Sequence, residues 1–310
     1  MTKRKIAFLF PGQGAQYVGM GRDFYEQSKV AKELFDSADQ LLGKKLSQVI
    51  FEGPEELLVQ TEQCQLAIFV NSMAILAAIK ELYPDLSPTV CAGLSLGEYS
   101  AVCASGRLSF ADCLSFVQTR ARAMQYACEQ TDGAMAAIFG LSAEQIDALA
   151  KGLNLPQDLW VANYNCPGQT VISGTQKGVE AASLAAKDAG AKRVIPLKVH
   201  GAFHSGLMQS ALEPLSKKVN ASEIGDSEVS LVMNVTGKRA QSVDEIRTNL
   251  IEQVTHSVRW EQTIDHIRDE VDLFIEIGCG KTLSGMNRQM KVDAPTIFIN
   301  KVEDLQKLGE

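Results

Sequence analysis

The sequence lacks the cysteine spacing of a metal site or of a disulfide framework. Its seven cysteines are odd in number and scattered, and no C-x-x-C pair or cysteine–histidine cluster has metal-ligand spacing. Most of them stand in apolar runs, as reduced and buried thiols do in cytosolic proteins. We therefore predict a cytoplasmic protein without a bound metal. The cysteines are Cys64, Cys91, Cys103, Cys113, Cys128, Cys166 and Cys279.

Long apolar runs and an excess of positive charge are also missing. The apolar run Ile6–Phe10 is too short for a signal-peptide core, and no small-residue cleavage site follows it. No apolar run approaches the length of a membrane span. The net charge of −7 argues against a nucleic-acid-binding face over the whole protein. We therefore predict neither a membrane nor a nucleic acid as a partner.

What the chain does contain is a repeated alternation of strand and helix patterns over 310 residues. Apolar runs such as 5–10 and 89–92 are typical of buried strands in a mostly parallel sheet. The texture changes near Asp132, after which the predicted order is β-α-β-β-α-β, a ferredoxin-like unit. This pattern predicts an α/β fold with a small subdomain inserted into a larger one.

The predicted boundaries divide the chain into two parts. Residues 1–128 and 200–310 form a large α/β-hydrolase-like subdomain with a parallel sheet, and residues 129–199 form the ferredoxin-like small subdomain. Among single elements, we predict one continuous helix over 22–42, another over 206–219 and a strand over 193–199.

A serine between two glycines stands where a predicted strand turns into a predicted helix. The segment Gly93-Leu94-Ser95-Leu96-Gly97 follows an apolar run and precedes a helix-forming run, which is the context of a nucleophile elbow. The two glycines let the strand and the helix approach closely and let the serine adopt a strained conformation. The alternative is a glycine-tolerant turn that carries a surface serine.

A serine nucleophile needs a base within hydrogen-bond reach, and the chain has only four histidines. His204 stands at a predicted strand-to-helix junction downstream of the serine, an order that fits α/β-hydrolase-like folds. His200 is the rival candidate, and its alternative role is a junction residue bonded to the backbone. His266 stands at helical spacing and is expected to be solvated or half-buried. We place His204 ahead of His200.

Other candidates border the same predicted sheet edge. The backbone N–H groups of Gln13 and Leu96 can form a two-donor oxyanion hole. The glycine loop at Gln13 can instead be interpreted as phosphate-binding, but it lacks the third glycine and the Lys-Ser/Thr of a P-loop. Arg120 and Arg122 lie on a predicted helix, and an arginine near a nucleophile binds a carboxylate bidentately. The pattern alone favours a solvated charge for both arginines.

Four segments, with a fifth near the end of the chain, together match one family. They are FLFPGQGAQ at 8–16, GLSLGEYSA at 93–101, NYNCPGQTVISG at 163–174, GAFHSGLM at 201–208 and EIGCGKTL at 276–283. In this order and spacing, the chain resembles the malonyl-CoA:acyl carrier protein transacylases, the malonyltransferases of fatty-acid and polyketide synthesis. The resemblance runs essentially from end to end and is far more specific than the G-x-S-x-G pattern.

The resemblance implies a role for each matching position. Ser95 corresponds to the nucleophile that carries the acyl group as an ester, and His204 corresponds to the general base and acid. Arg120 stands where the family keeps the arginine that binds the malonyl carboxylate. The backbone amides of Gln13 and Leu96 correspond to the oxyanion hole.

Further positions bear on the geometry and selectivity of the site. In this family a main-chain carbonyl orients the histidine, and Gln253 matches that position. Phe203, like the residue after the serine, is similar to malonyl-selective rather than methylmalonyl-selective members. The chain departs from the family pattern at Leu94, where histidine is usual, and at Ser257 and Cys279, where proline is common.

The implied reaction is a ping-pong transfer of a malonyl group from malonyl-CoA to the phosphopantetheine thiol of acyl carrier protein. It needs no cofactor, because the coenzyme A thioester is itself a substrate. Two alternatives stay open. One is a lipase- or patatin-like hydrolase that uses the same elbow, and the other is a catalytically inactive homologue that only binds acyl carrier protein. Acyl carrier proteins are acidic as a family, so we expect a basic patch near the mouth of the site, with a solvated face as the alternative for most candidates. The candidates are Lys187, Lys192, Arg193, Lys198, Lys281, Arg288 and Lys291.

Overall fold

The computed structural model describes residues 4–199 and 201–309. Its strands, in chain order, are β1 (Ile6–Phe10), β2 (Val90–Gly93), β3 (Gly133–Phe139), β4 (Leu159–Cys166), β5 (Gln169–Thr175), β6 (Arg193–Pro196), β7 (Ser230–Met233), β8 (Lys238–Arg239), β9 (Val258–Arg259), β10 (Leu273–Ile277) and β11 (Thr296–Ile299).

The α-helices surround these strands and connect most of them. They are α1 (Arg22–Gln27), α2 (Lys29–Leu42), α3 (Leu46–Glu52), α4 (Glu55–Leu58), α5 (Thr61–Leu82), α6 (Gly97–Ala104), α7 (Phe110–Gln130), α8 (Ala143–Leu153), α9 (Gln176–Asp188), α10 (Leu212–Asn220), α11 (Val243–Glu252), α12 (Trp260–Ile267) and α13 (Thr282–Gln289). Two 3₁₀ helices cover Gly206–Ala211 and Val302–Leu308.

The larger sheet has the strand order β11-β10-β1-β2-β7-β8. The strands from β11 to β7 run parallel, and the two-residue β8 pairs antiparallel at one edge. In β1, Phe8 and Phe10 belong to the hydrophobic core on one side of the sheet, whereas Ala7 and Leu9 belong to the core on the other side. Because both faces are covered, β1 is a continuous apolar run rather than an alternating one. The predicted parallel sheet is confirmed.

The smaller sheet has the order β6-β3-β5-β4-β9. β3 pairs antiparallel with β5 and β6, β4 pairs antiparallel with β5, and α8 and α9 cover one face of these strands. This is the predicted ferredoxin-like arrangement. The sheet also contains β9, which comes from the later part of the chain and pairs in parallel with β4. The exact division at 128/129 and 199/200 stays a prediction.

The central helix of the larger part is α5. It is long and apolar enough, by length and composition alone, to cross a membrane, which the sequence analysis did not anticipate. In the fold, 78% of its most apolar window is buried, and it packs against α2 and α7. A helix that is apolar all round is typical of the core of a large protein. We therefore interpret α5 as a core helix.

Three predicted elements differ from those observed. The helix predicted over 22–42 is interrupted at Ser28, whose backbone is extended and whose hydroxyl accepts from the Ala31 N–H to cap α2. The helix predicted over 206–219 begins as a 3₁₀ helix and becomes an α-helix only at Leu212. The strand predicted over 193–199 ends at Pro196; Leu197 still donates to the main-chain oxygen of Met135, and in the described residues the pairing with β3 goes no further.

We expect Gly97→Ala to destabilise the protein, because a Cβ at this position would lie 2.1 Å from the carbonyl oxygen of Phe10. The clashing atom belongs to the backbone of β1, so α6 has to move away from the sheet. Overpacking of this kind costs about 1–3 kcal/mol. The measurement is the free energy of unfolding in urea, followed by circular dichroism.

The matched control is Gly152→Ala in α8, where no atom of the described residues lies within 4 Å of the added Cβ. Helix propensity predicts a gain of up to about 1 kcal/mol for this variant. A Gly97→Ala protein as stable as the wild type would contradict the close approach of α6 and β1.

Candidate active site

Ser95 forms the sharp turn between β2 and α6. Its backbone lies in the left-handed region, with φ 52°, which is costly for a residue that has a Cβ. The turn is closed by two glycines: a Cβ on Gly93 would lie 2.0 Å from the carbonyl carbon of Gly97. Strand and helix therefore meet backbone to backbone, and the serine stands at the carboxyl end of β2.

Asn234 holds the strained turn from the neighbouring strand. It follows β7 directly, and its side chain has no exposure to solvent. Its Oδ1 accepts from the Ser95 N–H at 2.7 Å, and its Nδ2 donates to the Gly93 carbonyl oxygen at 2.7 Å. Because one amide binds both sides of the turn, the left-handed conformation is fixed by partners rather than by local preference.

His204 lies within hydrogen-bond distance of the serine hydroxyl. The distance from Ser95 Oγ to His204 Nε2 is 2.8 Å, and that from His204 Nδ1 to the main-chain oxygen of Gln253 is also 2.8 Å. A carbonyl oxygen only accepts, so Nδ1 carries the proton and Nε2 is free to accept from the hydroxyl. The serine, the imidazole and the carbonyl therefore form one chain of hydrogen bonds suited to removing a proton from Ser95.

The environment of His204 favours its neutral form. Burial, and next the nearby positive charge of Arg120, lower the pKa of the imidazole to about 4. The hydrogen bond to the Gln253 carbonyl acts in the opposite direction but is the weaker effect. At neutral pH the imidazole is therefore an acceptor and can act as a base.

Arg120 is a buried cation in contact with the serine. Its side chain is 1% exposed, and its Nη2 lies 3.2 Å from Ser95 Oγ. The guanidinium donates to two neutral amides, through Nη1 to Gln65 Oε1 at 2.5 Å and through Nη2 to Gln253 Oε1 at 2.8 Å. Within residues 4–199 and 201–309, no carboxylate forms a salt bridge with it.

This arrangement leaves the charge of Arg120 without an ionic partner. Burial lowers the pKa of the guanidinium, although arginine stays protonated at any working pH. A buried cation is costly unless an anion pairs with it. The site is thus built to receive a negatively charged group beside Ser95.

Two backbone amides lie in the right region to bind an oxyanion. Leu96 precedes α6 directly, so its N–H is one of the free amides at a helix N-terminus. Gln13 lies in the loop after β1 and lines the same cleft as Ser95. In the part of the chain that the structure describes, neither N–H has a hydrogen-bond acceptor. Both are therefore available to an oxygen atom that develops charge.

The cleft in front of Ser95 has a volume of about 280 Å³ and lies between the two sheets. Residues from the loop after β1, from β3, β4 and β5, from the segment before His204 and from α13 line it. Phe203 lies in its wall and is 6% exposed, and Leu94, where the family has histidine, also contributes to the wall. Apolar side chains and a few polar groups, among them Ser95, Arg120 and His204, together line the cleft, as is typical of a small-molecule binding site.

The remaining candidates form no contact with Ser95 among the described residues. His200 falls outside the described residues. His266 is in contact with Arg239 on the surface, and Arg122 is exposed and pairs with Glu62. The seven basic residues predicted to form a patch are all exposed.

The sequence analysis missed three polar residues that support the site. Gln65, Glu98 and Asn234 are 1%, 0% and 0% exposed. Their sequence signal was a polar residue in an apolar setting: Gln65 interrupts the core helix α5, and Asn234 directly follows a buried strand. Since buried polar groups need partners, such residues mark a polar network inside the core.

Comparison with known proteins identifies the family. Residues 7–291 match the sequence family of the acyl transferase domain. The malonyl CoA-acyl carrier protein transacylase of Bacillus subtilis (strain 168) is 46% identical over 307 residues, covering 97% of this chain and 95% of its own. This chain belongs to the malonyl CoA-acyl carrier protein transacylase family. The resemblance stated from the sequence motifs is confirmed.

Solved structures of transacylases of this family share the fold over the whole chain. The acyl-carrier-protein-S-malonyltransferase of Bartonella henselae has a TM-score of 0.93 and 36% identity, covering 98% of both chains. A malonyl-transacylase solved in complex with its type II PKS acyl-carrier protein has a TM-score of 0.92 and 35% identity, again covering 98% of both chains. The predicted α/β fold class is confirmed.

We expect the pH dependence of Ser95 modification to follow His204. Because its pKa is lowered to about 4, the imidazole accepts a proton over the neutral and mildly acidic range. Below this pKa it is protonated, so the rate should fall about tenfold per pH unit. The measurement is the rate at which a sulfonyl fluoride modifies the protein, followed by intact mass at different pH values.

Arg120→Ala removes one of the two causes of the lowered His204 pKa. In this variant the midpoint of the pH profile of Ser95 modification should therefore move up toward the ordinary histidine value of 6.5. A wild-type midpoint near 6.5, unchanged in this variant, would show that His204 is not the base or is not buried as described.

Proposed function

We propose that this protein transfers the malonyl group of malonyl-CoA to the phosphopantetheine thiol of acyl carrier protein. The observation that carries the proposal is the buried Arg120 guanidinium, which pairs with no carboxylate of the described residues and which lies 3.2 Å from the Ser95 hydroxyl. A malonyl group has a carboxylate one methylene away from its thioester carbonyl. It therefore satisfies both features at once, with its carbonyl carbon at the serine and its carboxylate at the arginine. The names of the relatives support the same substrate.

In the first half-reaction, Ser95 attacks the malonyl thioester. His204 Nε2 takes the hydroxyl proton while Oγ bonds to the carbonyl carbon. The oxygen of the tetrahedral intermediate accepts hydrogen bonds from the N–H groups of Gln13 and Leu96. The imidazolium, held by the Gln253 carbonyl, returns the proton to the sulfur of coenzyme A as the carbon–sulfur bond breaks. The product is a malonyl ester on Ser95.

In the second half-reaction, the thiol of the carrier protein takes the place of water. His204 removes the thiol proton, the thiolate attacks the ester carbonyl, and the proton passes to Ser95 Oγ as the ester breaks. The carrier leaves as malonyl-acyl carrier protein, which supplies chain elongation in fatty-acid or polyketide synthesis. The exposed basic residues, among them Lys281 at the start of α13 and Arg288 in its last turn, are the candidates for binding this acidic partner.

Arg120 selects the acyl group that is transferred. In a site with little water, a carboxylate–guanidinium pair is strong and its geometry is bidentate. An acetyl group leaves the guanidinium buried and unpaired, so it is bound less well. Phe203 in the cleft wall restricts a methyl branch, although one methyl group changes binding by only about 1–3 kcal/mol.

The reaction needs no cofactor, because the thioester is already activated and all proton transfers pass through His204. Its substrate and its carrier protein are products of cytoplasmic metabolism, so we infer that the enzyme acts in the cytoplasm.

Incubation with malonyl-CoA is expected to yield a covalent acyl-enzyme. The intact mass should rise by about 86 Da, the mass of one malonyl ester, because the half-reaction stops without a carrier thiol. Addition of holo-acyl carrier protein should return the enzyme to its original mass and yield malonyl-acyl carrier protein. Ser95→Ala should show no mass change. Release of free malonate instead of transfer to the carrier would identify a hydrolase and overturn the proposal.

Arg120→Ala is expected to lower kcat/KM for malonyl-CoA by about 100-fold or more, because it removes charged hydrogen bonds to the substrate. The rate with acetyl-CoA should fall much less, or rise. Arg122→Ala is the matched control: Arg122 lies on the same helix but is exposed and paired with Glu62. It should stay within about twofold of the wild type, as surface ion pairs contribute little. Equal malonyl transfer by both variants would refute the role of Arg120.

A further inference from the structure

Glu98 is a buried carboxylate that the transfer mechanism does not use. It is the second residue of α6 and has no solvent exposure. Its Oε1 accepts from the backbone N–H of Asn234 at 2.5 Å, and its Oε2 accepts from Gln253 Nε2 at 2.6 Å. Burying a carboxyl group is costly unless donors surround it, so these two contacts account for its position.

The Gln253 side chain connects Glu98 to the reacting groups. Its Nε2 also donates to the Ser95 carbonyl oxygen at 2.8 Å, and its Oε1 accepts from Arg120 Nη2 at 2.8 Å. A side-chain amide has a donor end and an acceptor end, and turning it over exchanges the two. Only one of the two orientations provides an acceptor for Arg120 Nη2 at Gln253.

Glu98 and Arg120 fix that orientation from opposite ends. Both carboxyl oxygens of Glu98 accept hydrogen bonds from N–H groups, so Glu98 faces the NH₂ end of the Gln253 amide. A guanidinium only donates, so Arg120 has to face the oxygen end. His204, in contrast, bonds to the main-chain oxygen of Gln253, which does not depend on how the side-chain amide is turned.

We propose that Glu98 is a positioning residue for acyl-group selection: it holds the Gln253 amide in the orientation that keeps Arg120 against Ser95. The proposal rests on the proposed function, because its effect is exerted on the malonyl-binding arginine. It assigns no part in proton transfer to Glu98. The serine–histidine pair should therefore keep most of its reactivity when Glu98 is changed.

The variant that tests this is Glu98→Gln, which keeps the size of the side chain. The new amide presents an NH₂ group either to the Asn234 N–H or to the NH₂ of Gln253, and both are donors. When the new NH₂ faces Gln253, turning the Gln253 amide over relieves the conflict but presents its NH₂ to Arg120, so Arg120 Nη2 loses its acceptor. When it faces the Asn234 N–H, the two donors repel each other, so the substituted side chain no longer holds Gln253 in place.

The readout is the ratio of the kcat/KM values for loading Ser95 with malonyl and with acetyl, each from its coenzyme A thioester. Burial raises the pKa of Glu98 to about 8, so the assay is run at about pH 9, where the wild type is ionised. The ratio should fall by about 10- to 100-fold in Glu98→Gln, the effect of one hydrogen bond to a charged group. Acetyl loading should stay within about threefold.

Asp39→Asn is the matched control. Asp39 is also a buried carboxylate, 6% exposed, and it accepts hydrogen bonds from the N–H and the hydroxyl of Ser47. Neither residue belongs to the reacting groups of the mechanism. Its substitution should lower the melting temperature without changing the malonyl-to-acetyl ratio. This separates loss of selection from a general loss of stability, which lowers both rates together.

Glu98→Asp keeps an acceptor-only group with a shorter reach and serves if Glu98→Gln does not fold. It should lower the ratio by a smaller factor.

In a folded Gln253→Met background, where the amide is absent, changing Glu98 should not lower the ratio further. A ratio within twofold of the wild type in a folded Glu98 variant, or a parallel fall of both rates, overturns the proposal. If the wild type itself forms no malonyl ester, the proposed function fails instead.

Discussion

The contact on which the site depends is the meeting of two backbones at Gly93 and Gly97. No side chain fits between the end of β2 and the start of α6, so the chain has to reverse within three residues. The reversal places Ser95 in a left-handed conformation, from which its hydroxyl projects beyond the sheet. It also places Leu96, whose N–H has no hydrogen-bond acceptor among the described residues, directly after that serine. The proposed nucleophile and one half of the proposed oxyanion hole thus arise from a single packing constraint.

Around this turn the protein excludes water and replaces it with a small number of fixed polar groups. Arg120, His204 and Glu98 are each at most 3% exposed, and every one of them is bonded to Gln253. Through its main chain and its side chain, this one residue contacts the imidazole of His204, the guanidinium of Arg120 and the main-chain oxygen of Ser95. Such a network is valuable only when complete, because an unpaired polar group in a low-dielectric setting is costly. That requirement explains why so much of the site consists of neutral amides placed between charges.

The sequence predicted those features that are local or periodic. Continuous apolar strands, the order of elements in the small sheet and the serine between glycines are all visible in short windows. The pairing of Ser95 with His204 spans 109 positions. The chain order of the two residues and the position of His204 at a strand-to-helix junction suggested it, and the family resemblance implied the same pair. Asn234 and Glu98, 136 positions apart, were missed because nothing in either segment indicates that they meet. The break at Ser28 was missed for a different reason: both halves have the same apolar period, and a capping hydroxyl outweighs helix propensity there.

The two-residue strand β9 has a mechanical consequence. It lies five positions after Gln253, whose main-chain oxygen orients the imidazole, and it is hydrogen-bonded into the opposite sheet through β4. The hydroxyl of Ser257, where proline is common in the family, adds a further bond to Val161 in that strand. This short segment therefore links the smaller sheet directly to the residue that orients the His204 imidazole. Moving the two sheets apart would strain the segment that carries the Gln253 carbonyl, so the width of the cleft and the orientation of the His204 imidazole are mechanically coupled.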